Sequence, residues 1–123
     1  MNRTSRHELA ERALRGRLER EGQLVVSAST TSPCDLISFA PNGGHLRPTF
    51  WEVKTARGRR TSDLSPEERA LGRRAERGGS PFVVARYEVR GSRVVAGPDL
   101  YRPFVELASA ELPSAEITLE VTP

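Results

Sequence analysis

Two serine-led helix starts bracket a stretch of sequence that has no helical period, and this arrangement limits the chain to few folds. Ser5, followed three residues later by Glu8, forms a capping-box signature. Apolar residues then fall at 9, 10, 13, 14 and 18, which share one face at about 100° per residue. The spacing predicts a helix over about residues 5–21, closed by Gly22. The second start is Ser65-Pro66-Glu67-Glu68, with serine at the cap and proline at the first helical position. That helix runs to about Arg77 and stops at Gly78-Gly79. Between the two helices lie three strand-like runs, "QLVVSAS", "PCDLISF" and "TFWEVKT". The turn cluster "APNGGHLRP" joins the last two into a hairpin. "PFVVARYEV" and "SRVVAG" follow the second helix as a further hairpin about Arg90-Gly91-Ser92. "LYRPFVELAS" is a short helix or irregular, and "EITLEV" alternates like an edge strand. The order is α-β-β-β-α-β with a hairpin and tail, an α/β architecture with a central sheet flanked by helices.

At 123 residues the chain reads as one domain over 1–123, with one core. No apolar run approaches the roughly 20 residues of a membrane helix, and "MNRTSRHE" lacks the pattern of a signal peptide. Cys34 is the only cysteine, which excludes an internal disulfide and a cysteine-cluster zinc site. The expected setting is a reducing, cytoplasmic one, with no membrane partner. The net charge of +3 is a weak pointer to a polyanion. Most arginines alternate with acids, as in "ERALRGRLERE", the pattern of a solvated helix. "KTARGRR" differs, because Arg57, Arg59 and Arg60 cluster there without an acid.

Lys54 is the only lysine among 19 Lys and Arg residues, so its retention is informative. On a strand, residues two apart share a face, so Glu52 and Lys54 project together while Trp51 and Val53 turn toward the core. Asp35 lies on the preceding strand, and a hairpin spanning the intervening 16 residues can bring it opposite Glu52. Two carboxylates about 4 Å apart repel by roughly 4 kcal/mol at an effective dielectric near 20. Such a pair takes up a proton or a cation. Hard oxygen ligands suit Mg²⁺ or Mn²⁺, and a compact ammonium beside the ion can orient a water or oppose developing charge.

Asp35 in "PCDLI", followed by Glu52-Val53-Lys54, resembles the PD-(D/E)xK nuclease superfamily, with Cys34 inserted between the usual proline and the acid. The resemblance covers about residues 5–90 and includes the element order, leaving an extension over about 98–123. It implies a restriction-endonuclease-like αβββαβ core with a mixed sheet. "EGQLVVSAS" before "CDLI", with "EVKT" soon after, looks most like the archaeal-type Holliday-junction resolvases. That likeness implies a homodimer making paired, symmetric cuts in four-way DNA junctions. Asp35, Glu52, the Val53 carbonyl and a first-helix glutamate would then hold Mg²⁺, with Mn²⁺ substituting, while Lys54 orients the attacking water. Glu8 and Glu11 both compete for the helix position. Glu8 has a capping role, and Glu11, at the edge of the apolar stripe, is the residue chosen. Ser27, Ser29, Arg57, Arg59 and Arg60 would contact DNA phosphates.

The stretch from "EVKT" through "VVARYE" also resembles virus-type replication-repair nucleases, which often carry Gln where Glu68 stands here. Flap, nick or single-strand cleavage is therefore an alternative, as is a catalytically silent DNA-binding module. Glu68 is expected mainly to cap its helix. His7 and His45 look isolated, without ligand spacing.

Overall fold

The computed structural model describes residues 5–28, 34–56 and 64–108, together with the backbone of 117–118. Ser29, Arg57, Arg59 and Arg60 lie outside the described residues. The elements are α1 (Arg6–Arg20), β1 (Leu24–Ser27), β2 (Leu36–Asn42), β3 (His45–Ala56), α2 (Pro66–Arg77), β4 (Phe82–Arg90), β5 (Arg93–Tyr101), a 3-10 turn (Val105–Leu107) and β6 (Ile117–Thr118). They form an α/β fold around one mixed sheet of order β1-β2-β3-β4-β5, with β6 pairing with β3. β1 to β3 make an antiparallel meander, and β4 returns parallel to β3 after α2. Among the described residues, no helix is long and apolar enough to cross a membrane.

Both helix starts follow their sequence signals. Ser5 Oγ accepts the Glu8 backbone N–H at 3.1 Å. At α2 the box closes in both directions, with Glu68 N–H on Ser65 Oγ and Ser65 N–H on Glu68 Oε1 at 2.7 Å. The β2–β3 hairpin departs from expectation. The turn cluster shrinks to Gly43 and Gly44, whose φ of 56° and 89° suit a two-residue turn, and the strands extend to meet at Asn42 and His45. Proline at 48 does not interrupt β3, because it falls in the gap between the part paired with β6 (His45, Leu46) and the part paired with β4 (from Phe50).

Strand alternation sorts the interior into two layers. Leu36, Trp51, Val53, Val83, Ala85, Tyr87 and Val89 pack beneath Ala10, Leu14 and Leu18 of α1. Phe82 and Val84 point the opposite way, into a smaller cluster with Ala75 of α2, Leu64 and Phe104. The two helices therefore cover opposite faces of the sheet, and β4 between them is buried along most of its length, as expected of a central strand. Trp51 is core, as its alternation implies, and its Nε1–H donates to the buried Ser38 Oγ at 2.8 Å.

The segment beyond residue 98 is more integrated than a peripheral extension. β5 continues through Tyr101, and Phe104 fills the space between α2 and β4 at 6.1 Å from the Phe82 ring. Arg102 clamps the fully buried Glu76 through two bonds of 3.0 and 2.6 Å, while Glu76 also accepts the Phe82 N–H at 3.2 Å. A buried carboxylate needs such partners, and here they tie the second helix, the central strand and the tail together.

Close packing at Gly72 gives a stability test. A Cβ there would lie 2.6 Å from Phe104 and 2.9 Å from Phe82, whereas at Gly16 it would meet only the end of the Arg20 side chain at 3.2 Å. Gly16→Ala is expected to gain up to about 1 kcal/mol from helix propensity. Gly72→Ala is expected to lose about 1–3 kcal/mol through overpacking. Urea denaturation measures both, and a stabilised Gly72→Ala variant would contradict the packing described.

Candidate metal and catalytic site

The site forms where the β2–β3 pairing ends. Leu36 pairs with Trp51, and the Asp35 N–H donates to the Trp51 carbonyl at 3.0 Å, so the next position along puts Asp35 beside Glu52. Asp35 Oδ2 accepts the Val53 N–H at 2.7 Å. This backbone donor fixes the carboxylate at the sheet end, where both faces are within reach. Glu52 and Lys54 project from the face that carries α2, opposite to Trp51 and Val53. Lys54 Nζ lies 3.6 Å from Glu52 Oε1 and 3.1 Å from Glu68 Oε1.

Glu52 is the strained group in this arrangement. It is only 4% exposed, and its Oε2 is buried without a hydrogen-bond donor. Burial, followed by the Glu68 and Asp35 carboxylates beside it, pushes its pKa up to about 10. The other two carboxylates shift the opposite way. Burial opposes ionisation of Asp35, but hydrogen bonds from His7 and the Val53 N–H hold it below the usual carboxylate range. At Glu68 burial is likewise outweighed, by hydrogen bonds with Glu52, the Ser65 N–H and Lys54. One proton on Glu52 thus relieves three converging acids.

Glu11 approaches Asp35 from the α1 side. Burial and then the Asp35 charge raise its pKa. Glu8 is exposed, and the bond seen at this helix start is from its backbone N–H to Ser5 Oγ rather than the reciprocal bond of its carboxylate that a capping box requires. Ser27, the last residue of β1, is exposed and bonds to the Arg15 guanidinium, which also reaches the Val25 carbonyl at 3.2 Å. Glu11, Arg15 and Ser27 line one groove with Glu8 and Arg12, so Ser27 shares a rim with the acidic centre. The structure thus brings Asp35, Glu52, Lys54 and Glu11 into one neighbourhood. The Val53 contact seen there is its N–H to Asp35.

Two residues exceed what their sequence context suggested. Glu68 caps α2 and contacts Lys54 with the same carboxylate. His7 is not isolated: Nε2 stands 3.2 Å from Asp35 Oδ1, and Nδ1 stands 3.6 Å from Glu11 Oε2. The hydrogen bond to Asp35 raises the His7 pKa. The signal was the four-residue step from His7 to Glu11, which stacks the two side chains on one helix face. His45 begins β3 at the far end of the hairpin.

The residues fit a divalent cation on chemical grounds. Converging hard oxygens, one of them buried without a donor, need positive charge between them, which either a proton on Glu52 or a divalent cation would supply. Compared with known proteins, the chain matches no family model and no curated protein.

Glu52 supplies a pH test. Its folded pKa lies above the unfolded value, so the folded state binds the proton more tightly and loses stability as pH rises from about 4.5 toward 10. In chelator, Glu52→Gln is expected to exceed the wild type in stability by at least about 1 kcal/mol at pH 8, with a smaller gap at pH 5. Urea midpoints across pH measure this. A gap that is flat with pH would mean that Glu52 titrates normally.

Proposed function

We propose that this chain is a divalent-metal-dependent DNA endonuclease with a restriction-endonuclease-like core, acting on four-way junctions in the manner of the archaeal-type resolvases it resembles. One observation carries the reading: Asp35 and the buried Glu52 converge beside the chain's only lysine, and a Glu52 oxygen lacks a donor. A structural ion pair would satisfy its oxygens. This arrangement leaves one unsatisfied in a site that also holds an ammonium.

Asp35, Glu52 and Glu11, with the Val53 carbonyl implied by the resemblance, would hold Mg²⁺ or Mn²⁺. A bound ion would supply positive charge against a phosphate and would acidify a water. The protein's own contributions can be stated separately. The Val53 N–H locks the Asp35 carboxylate in one orientation, so no reorganisation is needed when substrate arrives. Lys54 is held by Glu68 at one side and Glu52 at the other, which aims its ammonium across the acidic centre. There it can hold the attacking oxygen in line with the phosphorus, or offset charge on the phosphoryl oxygens. Arginine would replace this compact donor with a planar fork of different reach. Ser27 and Arg15 stand at the rim, where a phosphate neighbouring the scissile one would pass. A domain of this size has little surface for reading bases, so recognition by DNA shape and backbone charge suits it. A homodimer, as the resemblance implies, would supply two such centres for paired cuts.

The position of Glu68 favours a second reading. Its carboxylate lies in the site rather than only at the helix cap, at the position where virus-type replication-repair nucleases often carry Gln. Such an enzyme would cut flaps, nicks or single strands. Labelled four-way junction, flap, nicked and duplex DNA, incubated with Mg²⁺ or chelator, separates the two by product symmetry. Cleavage is expected to require the metal, and Asp35→Asn, Glu52→Gln and Lys54→Ala are each expected to lower its rate by at least about 10²-fold. Glu52→Gln is informative because its fold is expected to be firmer than the wild type's. If it cuts every substrate at the wild-type rate, the chemistry proposed for Asp35, Glu52 and Lys54 is wrong.

A further inference from the structure

Beyond the all-oxygen ligand set, we infer that His7 supplies a nitrogen ligand to the ion held at Asp35, which gives the centre a preference for Mn²⁺ over Mg²⁺. This inference rests on the metal-dependent reading above and deepens it.

The geometry is that of a ligand cluster. His7, Glu11 and Asp35 each offer one atom, and these atoms all lie within 4.8 Å of one another. The closest pair, His7 Nε2 and Asp35 Oδ1, is 3.2 Å apart. Adjacent ligands around a six-coordinate ion with bonds of about 2.1 Å are themselves separated by about 3 Å, so both atoms can reach one ion with little rearrangement. A second observation points the same way. Glu52, 4% exposed and with Oε2 lacking a donor, interacts with the Asp35 carboxyl from the opposite face of the sheet. Asp35 is therefore flanked by His7 and Glu11 on one side and by an incompletely satisfied buried acid on the other.

Helix α1 sets this up by its period. His7 and Glu11 are one turn apart, and both reach the end of the sheet because Ala10, Leu14 and Leu18 pin the helix over β3 and β4. Only one imidazole nitrogen can bind a given ion. With Nε2 on the metal, Nδ1–H faces Glu11 Oε2, now 3.6 Å away, so that oxygen can orient the ring while the other Glu11 oxygen serves the ion. An imidazole among carboxylates favours transition-metal dications over Mg²⁺, which prefers oxygen and water.

The test uses Mn²⁺ itself as the probe on the full chain. Titration calorimetry is expected to show Mn²⁺ binding more tightly than Mg²⁺. His7→Gln is expected to weaken Mn²⁺ at least about tenfold while changing Mg²⁺ less. Pulsed electron paramagnetic resonance of the Mn²⁺ complex is expected to show a coordinated nitrogen that disappears in His7→Gln and persists in His45→Gln. These are the only two histidines in the chain. His7 is 44% exposed, so its replacement is expected to leave the fold intact, which circular dichroism checks. Bound Mn²⁺ without a nitrogen signal, or with one that survives His7→Gln, overturns the role of His7 and leaves the oxygen-ligated centre standing. If neither ion binds the wild type, the metal-dependent reading falls as well.

Discussion

A glutamate side chain buried between two other acids is the constraint on which the rest of this structure depends. Glu52 cannot ionise where it stands without a counter-charge, because burial, Glu68 and Asp35 all disfavour its anion. The surroundings supply part of that charge. Lys54 sits against both Glu52 and Glu68, and His7 pairs with Asp35. The cluster nevertheless keeps an oxygen without a donor, which a finished salt-bridge network would not, and the proposed ion would supply the missing partner.

The fold creates that crowding through ordinary means. The meander register places Asp35 next to Glu52, and the parallel return of β4 through α2 brings the start of that helix over Lys54. The capping box then has two consequences. By accepting the Ser65 N–H, the Glu68 carboxylate is oriented, and in that orientation it meets Lys54. A substitution at Ser65 removes the Oγ that caps the Glu68 N–H but keeps the backbone N–H that orients the Glu68 carboxylate toward Lys54. At the opposite end of α2, the clamp of Arg102 on Glu76 holds the helix against β4, so the helix that carries Glu68 is anchored away from the acidic cluster.

Much of this was legible in the residues. Both helix starts, the three-stranded meander, the Glu-Val-Lys face and the pairing of Asp35 with Glu52 follow from capping signals and strand alternation, which act over a few residues. What escaped depends on distance in the chain. The buried Glu76 reads as one more acid on a charged helix until Arg102, 26 residues later, is seen to satisfy it. Gly72 shows its importance only when Phe104 packs on it. The turn "APNGGHLRP" is shorter than its prolines suggest, because each proline pairs within the hairpin and is missed only by the strand on its other side, Pro41 past the end of β1 and Pro48 between the reaches of β6 and β4. His7 looks isolated in the sequence because its partners are carboxylates rather than a second histidine, and one of them lies outside its helix.

The most direct measurement is the titration of the Glu52 side-chain carboxyl by carbon-detected magnetic resonance, in chelator and in saturating Mg²⁺. Without metal, Glu52 should hold its proton far above neutrality, toward the value of about 10 that its surroundings impose. With Mg²⁺ it should ionise in the ordinary acidic range, because the cation takes over the proton's role. A Glu52 that titrates near 4.5 in chelator, or whose titration Mg²⁺ leaves unmoved, would contradict the account.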